Sequence, residues 1–394
     1  MQGKHANALI HFAATVRREW LREQIAGLVT WRPLQDPDDG CTAVIGMAAR
    51  LPDILHANLR CLYNSRWPTL KRVIVTLDTT EALSPRHINQ AALSQAYPEW
   101  DITVLHYSRR QSEAAERLKL PYLYSWMSWC IALSQVTTRH VLIHDYDALV
   151  VGPALANRYR RFVSDGAAIQ GIKWYESNGL QAEDRLATTF EAFVDTAWLR
   201  AHKPIRLFNK MFLKGSRSVD YDTTLAVQDY SLSPLQRTIE PMNEADLVHP
   251  SQMIHQYTMF RRHPGKPLPC FSMPMLPFFA YLGGKQDAMQ QATARLNESL
   301  VTHVDLVGDE TIMNLSQLSL QQVNWALKQM VQAAQSLGIA PRKDLYLYGR
   351  ALYDKLDVPA TEQWTSDFSS EQLHWINQAR PPAGVHHQAL RQPG

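Results

Sequence analysis

Two aspartates at the end of an apolar segment carry the clearest chemical signal in the chain. Asp145 and Asp147 close the run R-H-V-L-I-H-D-Y-D at residues 139–147. In an extended backbone, residues two apart point to the same side, so both carboxylates can face one cation. Mg²⁺ and Mn²⁺ take such oxygen ligands together with substrate phosphates. The pattern therefore predicts a divalent metal site at a strand end. Its structural alternative is a strand that closes in a polar turn.

The segments around these aspartates alternate between strand and helix patterns. Apolar runs predict strands at 42–47, 73–77, 102–106 and 140–144, and helical spacing predicts helices at 53–63, 84–96 and 121–134. Such alternation with short links is typical of an open, largely parallel sheet. Sheets of this kind bind ligands beyond the carboxyl ends of their strands, and both Asp78 and Asp145 lie at such ends. Asp78 could equally cap a turn or a helix.

Patterns in the second half of the chain are less regular. They predict a strand at 167–175, a mixed segment at 186–199, a short helix at 222–230, an irregular proline-rich segment at 264–277 and a long helix at 317–338. The last of these has its apolar residues on one helical face. The tail from residue 381 is expected to be disordered.

Composition narrows the classes of protein that the chain can belong to. Of 394 residues, 45% are hydrophobic and 20% charged, which is typical of a packed protein, and the net charge of +3 predicts no nucleic-acid partner. The four cysteines (Cys41, Cys61, Cys130 and Cys270) form no C-x-x-C pair, so neither a disulfide framework nor a zinc site is expected. No stretch of about 18 apolar residues is present to span a membrane. We therefore expect a cytoplasmic protein with at most peripheral membrane contact.

The first apolar pattern predicts an amphipathic helix over residues 5–29. Apolar residues at helical spacing include Leu9, Phe12, Val16, Trp20, Leu21, Ile25 and Leu28. Arg17, Arg18 and Arg22 lie among them. The expected role is a helix that packs on the following domain, and the alternative is an anchor on a membrane surface.

One region resembles a known enzyme family. Residues 43–78, AVIGMAARLPDILHANLRCLYNSRWPTLKRVIVTLD, resemble the opening of family 2-type GT-A glycosyltransferases. Members of that family begin with a strand, a helix with Asn and Leu at fixed spacing, a turn with Gln or Trp, and a strand ending in Asp. The D-Y-D at 145–147 stands about where their D-x-D motif stands. Met47-Ala48-Ala49 replaces the usual proline of the first strand, and Asp78-Thr79-Thr80 replaces Asp-Gly-Ser.

The resemblance, which covers roughly residues 41–260, implies a fold and a domain organisation. The fold class is α/β, a GT-A-like, mostly parallel sheet flanked by helices, with an N-terminal helix and a helical C-terminal extension. The expected divisions are a helix and linker at 1–40, the catalytic domain at 41–300, a helical region at 301–380 and the tail at 381–394.

The resemblance also implies a metal-dependent transfer of a sugar from a nucleotide-sugar donor to a hydroxyl of a glycan or glycoconjugate, as in polysaccharide biosynthesis. Asp78 would contact the nucleoside, Asp145 the ribose or a metal-bound water, and Asp147 a Mn²⁺ or Mg²⁺ that bridges the diphosphate. Such a metal acts as a Lewis acid toward the departing nucleoside diphosphate.

The same resemblance implies roles for two further motifs. V-D-Y-D-T-T-L at 219–225 is similar to the E-D-x-D-L segment that supplies the general base in inverting members, with Val219 in place of the Glu. Asp220 is the first candidate for the base and Asp222 the second, although Asp222 could instead cap a helix. Many GT-A enzymes add a late histidine to the metal, and either His249 or His255 could fill that place or be a hydrogen-bonded structural residue. His249 is favoured because it ends a short strand.

Aromatic and basic residues later in the chain could bind the donor. Trp174, between Lys173 and Tyr175, could stack on a sugar ring or pack in the core. Three basic residues could grip the diphosphate or lie in a solvated loop: Arg261, Arg262 and Lys266.

Two other functions are compatible with a sheet of this kind. A nucleotidylyltransferase would carry a glycine-rich, Arg-Lys loop after the first strand, where this chain has Ala48-Ala49-Arg50. A catalytically silent binding protein that keeps the GT-A fold is the other alternative.

Overall fold

The computed structural model describes most of the chain, with gaps that fall mainly in its second half. The described residues are 8–86, 88–173, 186–188, 190–214, 217–243, 246–250, 253, 273–298, 303–304, 313–314, 318–339, 342–356, 370 and 374. They divide into two units. The first takes its residues from Met1–Pro52, Ser65–Ala148 and Pro153–Asp246, and the second from Asp53–Asn64, Leu149–Gly152 and Leu247–Gly394.

A seven-stranded sheet forms the centre of the first unit. The strands of the described chain are β1 (Asp38–Met47), β2 (Leu70–Leu77), β3 (Asp101–His106), β4 (Thr138–Asp145), β5 (Leu149–Val150), β6 (Ile169–Ile172), β7 (Ala192–Asp195), β8 (Lys210–Lys214), β9 (Arg217–Tyr221), β10 (Arg237–Glu240), β11 (Leu247–Val248), β12 (His303–Val304) and β13 (Met313–Asn314). The order in the large sheet is β10-β6-β7-β4-β1-β2-β3. Only β7 runs antiparallel to its neighbours in that sheet, which confirms the predicted, mostly parallel architecture.

Helices accompany the strands as the alternating pattern predicts. They are α1 (Ala8–Ile25), α2 (Pro52–Asn64), α3 (Gln90–Ala96), α4 (Arg109–Leu118), α5 (Pro121–Gln135), α6 (Ala154–Asp165), α7 (Thr196–Arg200), α8 (Pro204–Leu207) and α9 (Leu225–Ser231), then Leu276–Leu282, Ala288–Glu298, Leu320–Ser336 and Arg342–Tyr353. Short 3₁₀ turns occupy Glu81–Leu83, Pro234–Gln236 and Met273–Met275. The helical C-terminal part is therefore present. No helix in the described part of the chain is both long and apolar enough to cross a membrane.

The core of the first unit explains why β1, β2 and β4 read as continuous apolar runs. Val44, Ile74 and Val141 are buried in one cluster with side chains of α5, among them Trp126 and Leu133. Strands that are covered on both faces cannot alternate apolar and polar residues, so the run itself becomes the signal. The predicted helix at 121–134 is the element that covers this part of the sheet.

Several boundaries differ from the sequence-based expectation for local reasons. The helix expected at 84–96 begins only at Gln90, because Asn89 caps it by accepting from Ala92 N at 2.9 Å. β1 starts at Asp38, inside the segment expected to be a linker. The helix α4 was not predicted because it carries few apolar residues, yet Ser108 and Gln111 form a complete capping box at its start.

The second unit has a helical core of its own. Its fully buried side chains include Phe278, Phe279, Met289, Leu296 and Tyr348. The Tyr348 hydroxyl donates to the carbonyl of Pro274 at 2.8 Å. Lys285 Nζ lies 2.7 Å from an Asp53 carboxylate oxygen, which ties α2 to this unit.

Candidate metal centre

The two aspartates of the D-Y-D motif lie where β4 ends. Asp145 is the last residue of β4, and Asp147 lies in the turn that follows, which the Ala148 N to Asp145 O hydrogen bond closes at 3.1 Å. Asp147 is buried and Asp145 is half-buried. The buried apolar residues of β4 hold this strand end between β1 and β7.

A short antiparallel ladder determines where His249 lies in space. In it β11 pairs with β5, with Val248 opposite Leu149. Leu149 follows Asp147 by two residues, and His249 directly follows Val248. The ladder thereby brings His249 to the turn that carries Asp147. One ligand atom from each of Asp145, Asp147 and His249 lies within 4.8 Å of the other two.

The donor set of these three residues suits a divalent cation of intermediate hardness. Two carboxylates and one imidazole are ligands that Mn²⁺ accepts, while a purely oxygen-bound Mg²⁺ site would have less use for the histidine. Two carboxylates this close repel each other, and a bound cation would offset that repulsion. Three protein ligands also leave coordination positions for substrate oxygens or water. The residues present therefore fit a Mn²⁺ or Mg²⁺ ion.

A buried pair beside the aspartates supports the end of β4. The His144 Nδ1 atom contacts the Glu191 Oε1 atom, and both side chains are almost fully buried. Glu191 precedes β7, and its backbone φ is 53°, a left-handed value that residues other than glycine rarely adopt. The Arg158 side chain donates to the Glu191 carbonyl at 3.0 Å. The contact with His144 thus fixes the strained start of β7 against the residue that precedes Asp145.

Asp78 lies at the same edge of the sheet as Asp145. In the ladders of β1, Met47 pairs with Leu77 and Gly46 pairs with Asp145, so β1 stands between the two acidic strand ends. One Asp78 carboxylate oxygen accepts from the Ala49 backbone N–H at 2.6 Å. This bond closes the loop that follows β1. The turn or helix cap and the contact with a nucleoside that the sequence suggested for Asp78 both stay predictions.

A tyrosine at the end of the next strand adds a hydrogen-bonding side chain to this edge. Burial, followed by the nearby Asp78 carboxylate, raises the pKa of Tyr107. The phenol therefore keeps its proton and donates to the Tyr124 carbonyl at 3.0 Å, which leaves the Ser128 hydroxyl, at 2.7 Å, to donate to the phenol oxygen. These bonds hold α5 against the loop after β3. No pattern in the sequence indicated this role of Tyr107.

The two candidate base residues have different surroundings. Asp220 lies on β9 of the β8–β9 hairpin, with a carboxylate oxygen 3.5 Å from Arg18 of α1. Asp222 follows the strand and accepts from the Asn209 side chain at 2.6 Å and from the Thr223 N–H at 2.8 Å. The N-cap of α9 is Thr224, not Asp222 as the alternative interpretation of that residue supposed.

The remaining predicted site residues cannot be placed. Those that lie outside the described residues are Trp174, Tyr175, His255, Arg261, Arg262 and Lys266. Among residues that are described, His144 and Glu191 join the site without having been predicted. His144 could have been suspected from its position beside Asp145, whereas nothing in the sequence marks Glu191 as its partner 47 residues away.

Comparison with known proteins yields only distant structural matches. No family model and no curated protein matches the chain. Among solved structures, residues 1–349 of TarS from S. aureus match with 12% identity over 79% of this chain and 90% of that one, at a TM-score of 0.35. The mannosyltransferase PcManGT from Pyrobaculum calidifontis, in complex with GDP-Man and Mn²⁺, matches with 16% identity over 94% and 92%, also at 0.35. TarS 1–349 with UDP-GlcNAc matches with 10% identity over 79% and 90%, at 0.30.

One of these proteins, PcManGT, is named as a mannosyltransferase. The superpositions are weak, so the function of this chain has to be inferred from its own residues.

Proposed function

We propose that this chain is a metal-dependent glycosyltransferase that moves a sugar from a nucleotide-sugar donor to a hydroxyl of a glycan or glycoconjugate. The observation that carries the proposal is the convergence of Asp145, Asp147 and His249 within 4.8 Å. The site lies at the carboxyl edge of a mostly parallel sheet, where such sheets bind ligands.

Each residue has a role that follows from its position. Asp145, Asp147 and His249 would hold Mn²⁺ or Mg²⁺, which when bound stabilises negative charge on the departing diphosphate. Asp78, beyond the end of β2, would accept hydrogen bonds from the ribose or base of the donor. His144 and Glu191 would keep the β4 end in the geometry that the two aspartates need. Trp174 and His255 remain further candidates for donor and metal binding.

The proton acceptor is proposed to be Asp220 or Asp222, in an inverting reaction. The base takes the proton from the acceptor hydroxyl as that oxygen attacks the anomeric carbon, while the bond from that carbon to the diphosphate oxygen breaks. Asp220 also forms an ion pair with Arg18 of α1. Its replacement would therefore remove both the candidate base and the contact that holds α1. Arg18→Gln is therefore the matched control, because it breaks the same ion pair and keeps the carboxylate.

The decisive experiment measures donor binding and donor hydrolysis with and without Mn²⁺. A panel of nucleotide sugars is titrated calorimetrically into the chain and into the Asp145→Asn/Asp147→Asn variant. Loss of even an outer-shell partner costs about 10–100-fold in metal affinity, so loss of two ligands should weaken Mn²⁺-dependent donor binding by more than ~100-fold. Asp39→Asn/Asp165→Asn is the control, since it removes the same charge at two exposed positions.

Three outcomes would count against the proposal. If the double variant keeps its Mn²⁺-dependent affinity for the donor, Asp145 and Asp147 do not bind the metal. Formation of a nucleotide sugar from a sugar phosphate and a nucleoside triphosphate would identify a nucleotidylyltransferase. Donor binding without hydrolysis or transfer to any acceptor would identify a silent binding protein.

In the same assay, Asp220→Asn or Asp222→Asn should cut transfer by ~10²-fold or more while donor binding persists.

A further inference from the structure

Asn209, which lies between α8 and β8, is a buried amide with a polar partner at each end. Its Nδ2 atom donates to Oδ1 of Asp222 at 2.6 Å, and its Oδ1 atom accepts from the Thr223 hydroxyl at 2.8 Å. An ionised carboxylate can only accept, so the amide nitrogen has to face Asp222 and the hydroxyl has to donate to the amide oxygen. The chemistry of the three groups therefore allows one orientation of the amide.

The Asp222 carboxylate is held at one oxygen although the residue itself is exposed. Besides the Asn209 amide, the Thr223 backbone N–H donates to the same Oδ1 atom at 2.8 Å. Two donors on one oxygen fix the direction in which the carboxylate points. Asn209 and Thr223 are buried, whereas Asp222 is exposed. Buried groups thus orient a carboxylate that a ligand can reach.

The turn that follows Asp222 is fixed by further contacts. Thr224 has a backbone φ of 67°, a left-handed value that is rare for a β-branched residue, and its N–H donates to the Leu207 carbonyl at 2.8 Å. One turn along α9, the buried Gln228 amide donates to the Ala187 carbonyl at 2.8 Å and accepts from the Ala187 N–H at 3.0 Å. Rare backbone conformations persist only where the surroundings determine them, and they cluster at functional sites.

This turn belongs to the same edge of the sheet as the D-Y-D motif. The residue before Asn209 is Phe208, whose ring packs at 5.6 Å against Tyr122 in the first turn of α5. A link of two residues, 136–137, joins α5 to β4, and the two elements share one apolar cluster, so the helix runs antiparallel to the strand. The first turn of α5 therefore lies at the carboxyl end of β4, where Asp145 is located.

Asp220, the other candidate base, has a different environment. Its side chain is 14% exposed, and a carboxylate oxygen lies 3.5 Å from the Arg18 guanidinium of α1. One turn later in α1, Arg22 donates to the Phe208 carbonyl at 2.9 Å. The two arginines hold α1 against this part of the chain, so the Asp220 carboxylate serves the docking of that helix. A proton acceptor has to come within hydrogen-bond reach of the acceptor hydroxyl, which favours the exposed Asp222.

We propose that Asp222 is the proton acceptor and that Asn209 is the positioning residue that orients it. This inference rests on the proposed function. During transfer the hydroxyl oxygen of the acceptor forms its bond to the anomeric carbon, the bond from that carbon to the diphosphate oxygen breaks, and the hydroxyl proton passes to the Asp222 carboxylate. The buried Asn209 amide acts only through Asp222.

Steady-state transfer kinetics of single and double variants test the proposal, with donor affinity measured by calorimetry in the same proteins. Asp222→Asn should lower kcat by about 100-fold or more. Asn209→Leu should lower it by up to about 100-fold, the cost of a misplaced catalytic group, while the donor affinity stays unchanged. Because Asn209 acts only through Asp222, the double variant Asn209→Leu/Asp222→Asn should be no slower than Asp222→Asn alone. A merely structural role of Asn209 would lower kcat in both backgrounds.

A second variant covers the case in which Asn209→Leu does not fold. Thr223→Val keeps the shape of the side chain and removes the hydroxyl that orients the amide. It should lower kcat about five- to tenfold in the parent chain and not at all in the Asp222→Asn variant. Asp165→Asn removes one charge at an exposed position of α6 and should transfer sugar like the parent chain.

The outcomes separate this inference from the proposed function. Full kcat in Asp222→Asn, or equal losses from Asn209→Leu with and without the Asp222 carboxylate, would overturn the inference while sugar transfer by the parent chain still stands. A loss of about 100-fold in Asp220→Asn that Arg18→Gln does not reproduce would assign the base to Asp220 instead. If the parent chain transfers no sugar from any donor, the proposed function fails and this inference fails with it.

Discussion

Gly46 lies where β1 closely approaches α5, and its replacement gives a sharp test of the structure. A Cβ atom built on Gly46 would lie 2.5 Å from Ser128 Cβ and 3.3 Å from Ser128 Oγ. Overpacking of this kind costs about 1–3 kcal/mol, so we take about 2 kcal/mol for Gly46→Ala. Since Gly46 pairs with Asp145 across the β1–β4 ladder, the displaced helix would also disturb the metal centre.

The second variant removes the atom that the new methyl group would meet. Ser128→Gly gives up the hydroxyl hydrogen bond to Tyr107, worth about 1 kcal/mol, and puts a glycine inside a helix for up to about 1 kcal/mol more. Independent effects would sum to about 4 kcal/mol in the double variant. If the clash is real, the double variant should lose only about 2 kcal/mol, because the methyl group then occupies the space that the serine vacated.

Calorimetric unfolding of the four proteins measures this coupling. In a domain of this size, about 1 kcal/mol shifts the unfolding temperature by roughly 2–4 °C. Gly27→Ala is the matched control, since the nearest atom to its Cβ would be Arg110 Nη2 at an ordinary 3.7 Å; it should change stability little. A double variant that falls by the full sum of the single effects would refute the close approach of Gly46 to Ser128.

Two further predictions follow from buried titratable groups. Burial, more strongly than the opposing Asp195 charge, lowers the pKa of His140 below its usual 6.5. The unfolded chain therefore binds the proton more readily than the folded chain, so the free energy of unfolding should fall as the pH drops below about 6.5. Between about pH 7.5 and 5, the unfolding temperature of His140→Gln should decline less than that of the parent chain. An identical decline in both proteins would contradict the lowered pKa of His140. Burial also raises the pKa of Cys61 to about 12, and burial raises the pKa of Cys41 and that of Cys130 above the usual value for a thiol. Iodoacetamide at about pH 8 should leave these three thiols unmodified in the folded chain and alkylate them in urea, as peptide mass mapping would show.

The central sheet could be predicted because its strands are buried on both faces. Runs such as Val73–Leu77 and the residues before Asp145 contain no polar interruption, so their length alone indicated strands. The order of the outer strands could not be predicted, since β6, β7 and β10 are only four residues long. Pairing partners for such short strands depend on contacts that lie far apart in sequence.

The candidate site also contains some residues that the sequence indicated and others that it did not. Asp145 and Asp147 are marked by local spacing, and His249 by its place after a short strand, but only the β5–β11 ladder brings the histidine to the aspartates. Glu191 left no trace in the sequence because its partner, His144, belongs to another strand. The orientation of α1 was unpredictable for a related reason: its apolar spacing defined a helix, while Asp220 and the Phe208 carbonyl, some 190 residues away, decided which face turned inward.

The contacts that hold the N-terminal segment have a practical consequence for how the protein can be divided. The Trp31 indole donates to the His202 carbonyl at 2.7 Å, and Arg200 donates to the Arg32 carbonyl at 2.7 Å and to the Val136 carbonyl at 2.9 Å. A recombinant fragment that starts at Cys41 would strip hydrogen-bonding partners from the His202 carbonyl and from the buried Arg200 side chain. Unmatched polar groups of this kind cost about 1–3 kcal/mol each. Residues 8–40 are thus a structural part of the sheet domain, and removing them to improve expression should yield a fragment prone to aggregation.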